Sequence, residues 1–462
     1  MSATGGANGP ARSLAKLAAE FRLADVPAAV RERARLHILD AIGLGFASHA
    51  QEYARRSIAG VEAIGARGEC TVLGLQRGFD PRDAALLNGV LVHGLDFDDT
   101  HLASIIHPTT TALPAALALG EQVDVSGEEL LAAFLVGAET GIRIGAAIDG
   151  GLHHVGYHAT GVVSHFASAV TAGRLLGLSA DQIVAAQGVA GSTASGIQVF
   201  LEEGAWTKRF HPGWGAVAGI TAARLAQHGF KGPSRPYEGR FGLFETHLQA
   251  HAGEVKAEAL TAGLGAVWRF GETALKPYPV CHFIHGCADA AVELHGEIGG
   301  AQIVEVKALL PQPTLHIVAE PAEQKERPTT EYEGKFSAQF VVATCLLKGA
   351  FGMADLTPQA FADPQIQALT AQVKCEADPD SAFPTYFSGG VEVSLSDGRT
   401  LKRHVRINSG AGERAMTPDA VVKKFMGSAT LTLSAARAEQ VCEAVLGLER
   451  LSARELAAVL RG

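Results

Sequence analysis

The sequence predicts a mainly α protein that is built from two domains. With 462 residues, of which 47% are hydrophobic, the chain is long enough to bury two cores. Apolar residues recur at helical spacing before residue 269 and again after residue 409, whereas strand-like alternation is confined to the segment between. We therefore predict a large all-helical domain from residues 1–268 and 410–462, both ends of the chain, and a smaller α+β domain from residues 269–409.

The helices of the large domain are predicted from their first residues and from the apolar spacing that follows. Asp25, with Pro27 behind it, can cap a helix in DVPAAVRERARLHILDAIGLGFASH, and Asp80 with Pro81 begins the next helix. Ser126 is followed three residues later by a glutamate, which is the capping-box pattern. Further segments are apolar on most faces and predict central helices: ATGVVSHFASAVTAGRLLGL, SADQIVAAQGVAGSTASGIQVFL and GWGAVAGITAARLAQHGF.

The pattern of the smaller domain is typical of strands with one long helix between them. QIVEVKALLP and TAQVKCEAD have strand composition, and GGVEVSLSDGRTLKRHVRI predicts a hairpin that turns at Asp397 and Gly398. GKFSAQFVVATCLLKGAF predicts the helix. From TPDAVVKKFMGSA onward the chain is helical again, and we expect this end to pack back on the first domain.

Charge and apolar patterning disfavour two classes of partner. The formal net charge is −9 and there is no long basic run, so we predict that the protein binds neither nucleic acid nor an anionic membrane surface. No apolar run of about 20 residues lacks a polar interruption, so we predict no membrane span. A small anionic substrate remains compatible with this charge, because its site needs only local basic residues.

The N-terminus and the cysteines favour a cytoplasmic protein. The opening MSATGGANGPARSLAKLAAEF lacks the basic start and apolar core of a signal peptide, and its Gly, Ala and Pro content predicts a loose tail. The six cysteines are scattered without a CxxC pair. This arrangement disfavours a zinc or iron–sulfur site and favours reduced thiols.

Four clusters of polar residues lie where a loop enters an apolar helix. They are His93, Asp96, Asp98, Asp99, His101 and His107; then His153, His154 and His158; then Lys208, Arg209 and His211; and finally Lys276, His282 and His285. A helix N-terminus presents free N–H groups and partial positive charge, which suit a carboxylate. If these helix ends converge, they form a pocket that binds small polycarboxylates and moves protons.

The run DFDDTH in the first cluster has two chemical interpretations. Aspartates of a helical domain can hold Mg²⁺ on a diphosphate, but that needs a D-D-x-x-D run, and no carboxylate follows Asp99 within reach. The other interpretation is proton transfer, with one aspartate oriented by its neighbours and Thr100 binding substrate. Taken alone, Asp98 and Asp99 are interpreted as caps and His101 as a satisfied loop residue.

These clusters resemble the motifs of the MmgE/PrpD family, which includes 2-methylcitrate dehydratase, cis-aconitate decarboxylase and iminodisuccinate epimerase. The matching stretches, in family order, are HGLDFDDTHLASIIHPTTTALPAALALGE, GYHATG, WTKRFHPGWGAVAG, KPYPVCHFIH and KFSAQFVVATCLLKG. They span most of the chain and are specific for the family rather than for one member. The resemblance implies a large all-α domain, a smaller α+β lid, a homodimer, and no metal or organic cofactor.

The resemblance also implies which residues form the site, where the motifs match residue by residue. The catalytic residues are Asp96, His107, His158, Lys208 and Lys276, and the substrate-binding residues are Thr100, His211 and His285. We expect the two lysines, Thr100 and His211 to hold substrate carboxylates. We expect His107 and His158 to exchange protons with the substrate, and Asp96 to orient or charge one of them.

Two positions depart from the decarboxylase-type pattern of the family. Seven positions separate Thr100 from His107, whereas the decarboxylase-type gap is one shorter and holds an extra His. This spacing is more similar to the epimerase type. Cys281 stands where decarboxylase-type members have a His, which further disfavours a decarboxylase.

The resemblance implies an enzyme that acts on a small anionic carboxylate. We expect cofactor-independent acid–base chemistry at the carbon next to a carboxylate of a small di- or tricarboxylate, as in a hydro-lyase similar to 2-methylcitrate dehydratase. An isomerase similar to iminodisuccinate epimerase and a lyase similar to cis-aconitate decarboxylase are the alternatives. A non-catalytic, ligand-binding homologue is a third alternative, which the intact clusters at every motif disfavour.

Overall fold

The computed structural model describes residues 9–65 and 67–462. The structure is 61% helical, so the predicted mainly α class is confirmed. The described residues divide into two compact units: unit 1 takes those in 9–200, 205–273 and 417–462, and unit 2 takes 201–204 and 274–416. The domain boundaries predicted from the sequence stay a prediction, as does the role of the smaller domain as a lid.

The helices and strands of the described chain are each numbered in chain order. The helices are α1 (Pro10–Glu20), α2 (Ala28–Ser48), α3 (Glu52–Ile64), α4 (Pro81–His93), α5 (Pro108–Val123), α6 (Gly127–Ile148), α7 (Gly151–His154), α8 (Ala159–Leu175), α9 (Ala180–Gly191), α10 (Phe200–Glu203), α11 (Thr207–Gln227), α12 (Leu243–Leu248), α13 (His285–Ile298), α14 (Leu315–Val318), α15 (Ala322–Lys325), α16 (Glu331–Lys335), α17 (Ala338–Lys348), α18 (Pro358–Phe361), α19 (Pro364–Thr370), α20 (Pro418–Ala429), α21 (Ala435–Leu446) and α22 (Ala453–Leu460). The strands are β1 (Arg67–Thr71), β2 (Gly78–Phe79), β3 (Ile303–Leu310), β4 (Val373–Ala377), β5 (Gly389–Leu395) and β6 (Thr400–Val405).

The core of unit 1 is a set of apolar helices packed around α8. Helix α8 contacts α5, α6, α9 and α11, and α11 also packs against α4. The local helix starts follow the sequence prediction: Asp80 accepts a hydrogen bond from the N–H of Arg82, and Ser126 accepts one from the N–H of Glu129. The C-terminal helices α20 and α21 pack on α2, so the end of the chain completes this unit as expected.

Unit 1 departs from the sequence prediction in its small sheet and at Asp25. It is not all-helical, because β1 and β2 form a small antiparallel sheet. The carboxylate of Glu121, on α5, fixes this sheet by accepting hydrogen bonds from the N–H and hydroxyl of Thr71. Asp25 pairs with Arg22 instead of capping α2, which begins after Pro27.

The predicted loose tail is also wrong where the structure describes it. Residues 1–8 lie outside the described residues. From Pro10 the chain forms α1, and its buried face consists of Ala11, Leu14, Ala15 and Ala18. The spacing of these residues is helical, so a buried apolar stripe outweighs the Gly and Pro content of the opening.

Helix α6 is the one described helix that is long and apolar enough to cross a membrane. Buried residues make up 94% of its most apolar window. It also holds a buried ion pair, in which Arg143 Nε donates to Glu139 Oε1 at 2.8 Å. Central helices of globular cores pass the same length and composition criterion, and α6 is a core helix of unit 1.

Unit 2 combines a four-stranded sheet with helices packed on it. The strand order is β4-β3-β5-β6, with β3 and β4 parallel and the other two pairs antiparallel. The predicted hairpin forms between β5 and β6, and Gly398 at its turn has a positive φ of 87°. Helices α13 and α17 contact each other and the sheet, and thereby bury its apolar face.

Candidate active site

The loop between α4 and α5 carries the run DFDDTH, and Asp99 fixes its shape. Asp99 Oδ2 accepts hydrogen bonds from His37 Nδ1 at 2.7 Å and from Thr109 Oγ1 at 2.5 Å, and its Oδ1 accepts one from the N–H of Thr109 at 3.2 Å. The carboxylate therefore ties the loop to α2 and to the first turn of α5. These contacts support the structural interpretation of Asp99.

His101 has structural contacts of the same kind. The residue is 1% exposed, and its Nδ1 lies 2.8 Å from Ser104 Oγ. Its Nε2 lies 3.5 Å from a carboxylate oxygen of Glu272. These contacts to Ser104 and Glu272 agree with the interpretation of His101 as a loop residue.

Helix α11 brings Lys208 against the loop. Lys208 Nζ donates a hydrogen bond to Asp96 Oδ1 at 2.8 Å, and the two side chains are only 9% and 4% exposed. The next residue, Arg209, lies over the ring of Tyr53 and donates to the carbonyl of Gly94 at 2.6 Å. Arg209 therefore fastens α11 to the start of the loop, while Lys208 supplies positive charge beside Asp96.

Two histidines meet at Asp98. His93 Nδ1 donates to Asp98 Oδ2 at 2.7 Å, and His107 Nδ1 lies 3.9 Å from Asp98 Oδ1. His107 Nδ1 donates to the carbonyl of Asp99 at 2.6 Å and lies 3.4 Å from Thr100 Oγ1. The sequence interpretation of Asp98 as a cap is wrong, because its carboxylate lies between two imidazole rings.

His158 and His211 form a second histidine pair. Their Nδ1 atoms are 3.1 Å apart, so one ring donates its N–H to the other. Burial, and then the nearby His211, lower the pKa of His158 well below 6.5. Burial also lowers the pKa of His211 to about 4. Both rings are therefore neutral at pH 7, and the ring that donates this hydrogen bond keeps a lone pair on its Nε2 that can accept a proton.

The rings of these two groups converge. His93 and His158 stack with their ring centroids 5.6 Å apart, and His93 and His107 are 4.9 Å apart. One ring nitrogen from each of the three lies within 4.8 Å of the other two. Histidine nitrogens are zinc ligands, so within the described residues this is the group whose donors could hold a metal ion. The same arrangement suits the transfer of protons.

Six of the eight residues predicted for the site come together in unit 1. They are Asp96, Thr100, His107, His158, Lys208 and His211. The sequence did not place His93 with them. His93 stands in the first polar cluster of the sequence, but its contact with Asp98 depends on the fold of the loop, so no role could be assigned to it from the sequence.

The remaining two predicted residues, Lys276 and His285, belong to unit 2. Both side chains are buried, at 1% and 0% exposure. His285 Nε2 lies 3.3 Å from the carbonyl of Val280, and its ring lies against those of Tyr278 and His282. His285 therefore occupies a fixed position at the start of α13. The catalytic and binding roles of all eight residues stay predictions.

Comparison with known protein families identifies the family of this chain. The MmgE/PrpD N-terminal domain matches residues 12–255, and the MmgE/PrpD C-terminal domain matches residues 278–448. The chain belongs to the MmgE/PrpD family. The family predicted from the motifs is thus confirmed, and with it the prediction of an MmgE/PrpD-type enzyme.

Curated MmgE/PrpD relatives carry two kinds of name. The cis-aconitate decarboxylase-like protein oryM of Aspergillus oryzae is 28% identical over 96% of this chain and 95% of its own length. The cis-aconitate decarboxylase of Homo sapiens is 28% identical over 91% of this chain and 88% of its own. The 2-methylcitrate dehydratase of Cupriavidus necator is 24% identical over 71% of each chain.

Proposed function

We propose that this protein is a lyase that works by acid–base chemistry at the carbon next to a carboxylate of a small di- or tricarboxylate, without a metal or organic cofactor. We further propose that it is a hydro-lyase similar to 2-methylcitrate dehydratase. The observation that carries the proposal is the convergence of histidines beside the buried Asp96–Lys208 pair. A cation and several imidazoles in one place suit an anionic substrate that loses a proton.

Proton removal needs a base that is neutral at working pH. His158 and His211 meet this condition because burial lowers the pKa of each below 6.5. When the substrate C–H bond breaks, an imidazole nitrogen takes the proton, and the electron pair is shared with the adjacent carboxylate before it forms the C=C bond. As the C–O bond breaks, a second histidine in its protonated, imidazolium form donates a proton to the departing hydroxide, which leaves as water. His107 and His158 are the proposed pair for these two transfers.

The negative charge that develops during proton removal resides on the substrate carboxylate. Lys208, on α11, can stabilise this charge because its ammonium group is almost completely removed from water. We assign the binding of that carboxylate to Lys208 with Thr100 and His211. The roles that the family resemblance implies for Lys276 and His285 are part of the same proposal.

Decarboxylation of cis-aconitate is the second candidate. The relatives named cis-aconitate decarboxylase match more than nine-tenths of this chain, whereas the dehydratase matches 71%. Loss of CO₂ leaves a carbanion that must be protonated, so it requires an acid rather than a base. The neutral histidines, the spacing of Thr100 and His107, and Cys281 in place of a His favour dehydration over it.

Product NMR on four acids tests the proposal. The purified protein is mixed separately with 2-methylcitrate, citrate, cis-aconitate and iminodisuccinate. We expect one of the first two acids to lose water without release of CO₂. From citrate this gives a new olefinic proton signal, and from 2-methylcitrate it replaces the methyl doublet by a methyl singlet. Release of CO₂ from cis-aconitate would instead establish the decarboxylase, and inversion of iminodisuccinate the epimerase. No change in any of the four acids would contradict the proposed function.

A pair of lysine variants makes this experiment specific. Lys208→Met should lower kcat/KM by roughly 100-fold, the loss typical of removing one group that stabilises developing negative charge. Lys256→Met is the matched control in the same unit, because Lys256 pairs with Asp149 while 56% exposed. Its kcat/KM should equal that of the parent. Equal losses in both variants would remove Lys208 from the proposed site.

A further inference from the structure

The pair formed by His93 and Asp98 is the part of the site that the proposed function leaves unused. The pair is buried, with side-chain exposures of 0% and 1%. His93 donates from Nδ1 to the carboxylate at 2.7 Å, which fixes the tautomer that has its lone pair on Nε2. Among the described residues, that Nε2 has no hydrogen-bond partner although it is buried. Buried polar atoms are nearly always paired, so this nitrogen requires an explanation.

A second buried histidine pair in unit 1 shows what a structural arrangement looks like. His37 and Asp99 have the same 2.7 Å separation and the same exposures of 0% and 1%. However, Asp99 also accepts two hydrogen bonds from Thr109, and His37 Nε2 lies 3.4 Å from an Arg33 nitrogen. Both nitrogens of His37 are therefore engaged in holding the fold. His93 instead directs its second nitrogen away from its carboxylate.

The surroundings of His93 favour proton transfer to the ring. One ring nitrogen of His93 lies within 4.8 Å of one nitrogen of both His107 and His158, a separation that a single water molecule can bridge. His93 is also the last residue of α4, and the negative end of a helix dipole stabilises an imidazolium. The carboxylate of Asp98 stabilises the same positive charge.

We propose that His93 is a proton-relay residue of this site and that Asp98 is the residue that positions it. The relay rests on the proposed function. The proton from the substrate carbon passes to His107 or His158 and then to Nε2 of His93, directly or through one water. The C–H electron pair stays on the substrate. In dehydration His93 passes this proton on to the other of these two histidines, which delivers it to the departing hydroxide as the C–O bond breaks. The hydroxide leaves as water, and no oxidant or reductant is needed.

Two substitutions test the relay. His93→Gln removes the imidazole, and Asp98→Asn keeps the shape of the carboxylate but presents an amide that favours the wrong tautomer. On the acid that the parent converts, each variant should lower kcat by roughly 100-fold, within the usual range for a lost acid–base group, while KM changes much less. A merely structural role would not give this separation of kcat from KM. Free imidazole should restore part of the activity of His93→Ala.

His37→Gln is the matched control, because it breaks an equally buried pair with the same geometry. It should lower the melting temperature without the selective loss of kcat. If His93→Gln and Asp98→Asn retain the kcat of the parent, or lose it only as His37→Gln does, the relay is wrong. If neither variant folds, the pair is structural and the proposal falls. If the parent converts none of the acids, the proposed function fails first, which is a different result.

Discussion

At the scale of single residues, the contact between Asp96 and Lys208 can be tested most easily by substitution. The two lie 112 positions apart in the sequence, and the fold places them 2.8 Å apart and almost out of water. Burying two charges costs free energy that their attraction must offset. A pair kept in such a place is therefore sensitive to the loss of either charge.

Asp96→Asn removes one charge of the pair and keeps its shape. We expect the free energy of unfolding to fall by about 3 kcal/mol, since breaking a buried pair strands the other charge. Urea denaturation measures this value. The control is Glu52→Gln, which breaks the ion pair between Glu52 and Arg56. The side chains of Arg56 and Glu52 are 73% and 54% exposed. The control should change stability by less than about 1 kcal/mol. Equal effects of the two substitutions would show that the Asp96–Lys208 pair is not buried in solution.

Single residues also show how much of the site could be predicted from the sequence. Motif matching identified the residue types of the site because those residues follow one another at fixed short spacings. It did not show that Lys208 lies against Asp96 or that Asp98 lies against His93. The expected action of Asp96 on a histidine stays a prediction. Partners of this kind are set by the approach of α11 and by the conformation of the loop, and neither can be derived from local spacing.

At the scale of elements, the crossing of α4 and α11 decides where Lys208 and His211 lie. The helices meet at two glycines. A Cβ on Gly89 would lie 2.4 Å from the Cα of Gly213, and one on Gly213 would lie 2.4 Å from the carbonyl oxygen of Leu86. No side chain fits at such distances, so the two backbones touch directly. This approach brings the start of α11 to the loop that follows α4.

Gly89→Ala should force the two helices apart. We expect a loss of about 1–3 kcal/mol in the free energy of unfolding, the usual cost of overpacking a core, together with a loss of activity. Gly60→Ala on α3 is the control, because nothing lies within 4 Å of a Cβ there. That substitution should stabilise the protein by about 0.5–1 kcal/mol, since alanine is the better helix former. A stabilising Gly89→Ala would contradict the close crossing.

Helix α8 contains a buried histidine that should make stability depend on pH. Burial lowers the pKa of His165 to about 4, against 6.5 for an unperturbed ring. In the unfolded chain the His165 ring therefore binds a proton below pH 6.5, whereas in the folded chain it binds one only below about pH 4. The stability that this ring contributes is full above pH 6.5 and is lost as the pH falls through that window.

His165→Leu isolates this contribution. Between pH 7 and pH 5, the parent should lose about 2 kcal/mol of unfolding free energy more than the variant loses. Urea denaturation of both proteins at the two pH values gives this difference. Burial raises the pKa of Asp40 to about 6, and this group changes the stability with pH in the opposite direction. Its contribution is the same in both proteins and therefore cancels in the comparison. Parallel pH profiles would show that His165 titrates normally.

At the scale of the whole molecule, unit 1 depends on both ends of the chain. Lys424, on α20, donates at 2.8 Å to Asp40 and at 2.8 Å to the carbonyl of Phe97, inside the DFDDTH loop. Its ammonium also lies 3.9 Å from the centre of the Phe97 ring. The C-terminal segment therefore supports the same loop that carries the site residues, which explains why the large unit needs both ends.

The sequence predicted this organisation but missed smaller features. Helix starts such as Asp80 and Ser126 were predictable because a cap acts within three residues. The β1–β2 sheet was not, because β2 has two residues and its partner strand is held by Glu121, far along the chain. The expected homodimer and the cytoplasmic location concern the protein beyond a single chain, and both stay predictions. Light scattering in solution decides the first.

The central claim is that histidines of this site move a proton at the carbon next to a carboxylate without a metal ion. Deuterium incorporation at that carbon, followed by ¹H NMR in D₂O on the four candidate acids, tests it most directly. We expect incorporation into at least one acid, undiminished after EDTA treatment and abolished by His158→Ala. Incorporation that EDTA abolishes and added zinc restores, or that His158→Ala leaves intact, would contradict the claim.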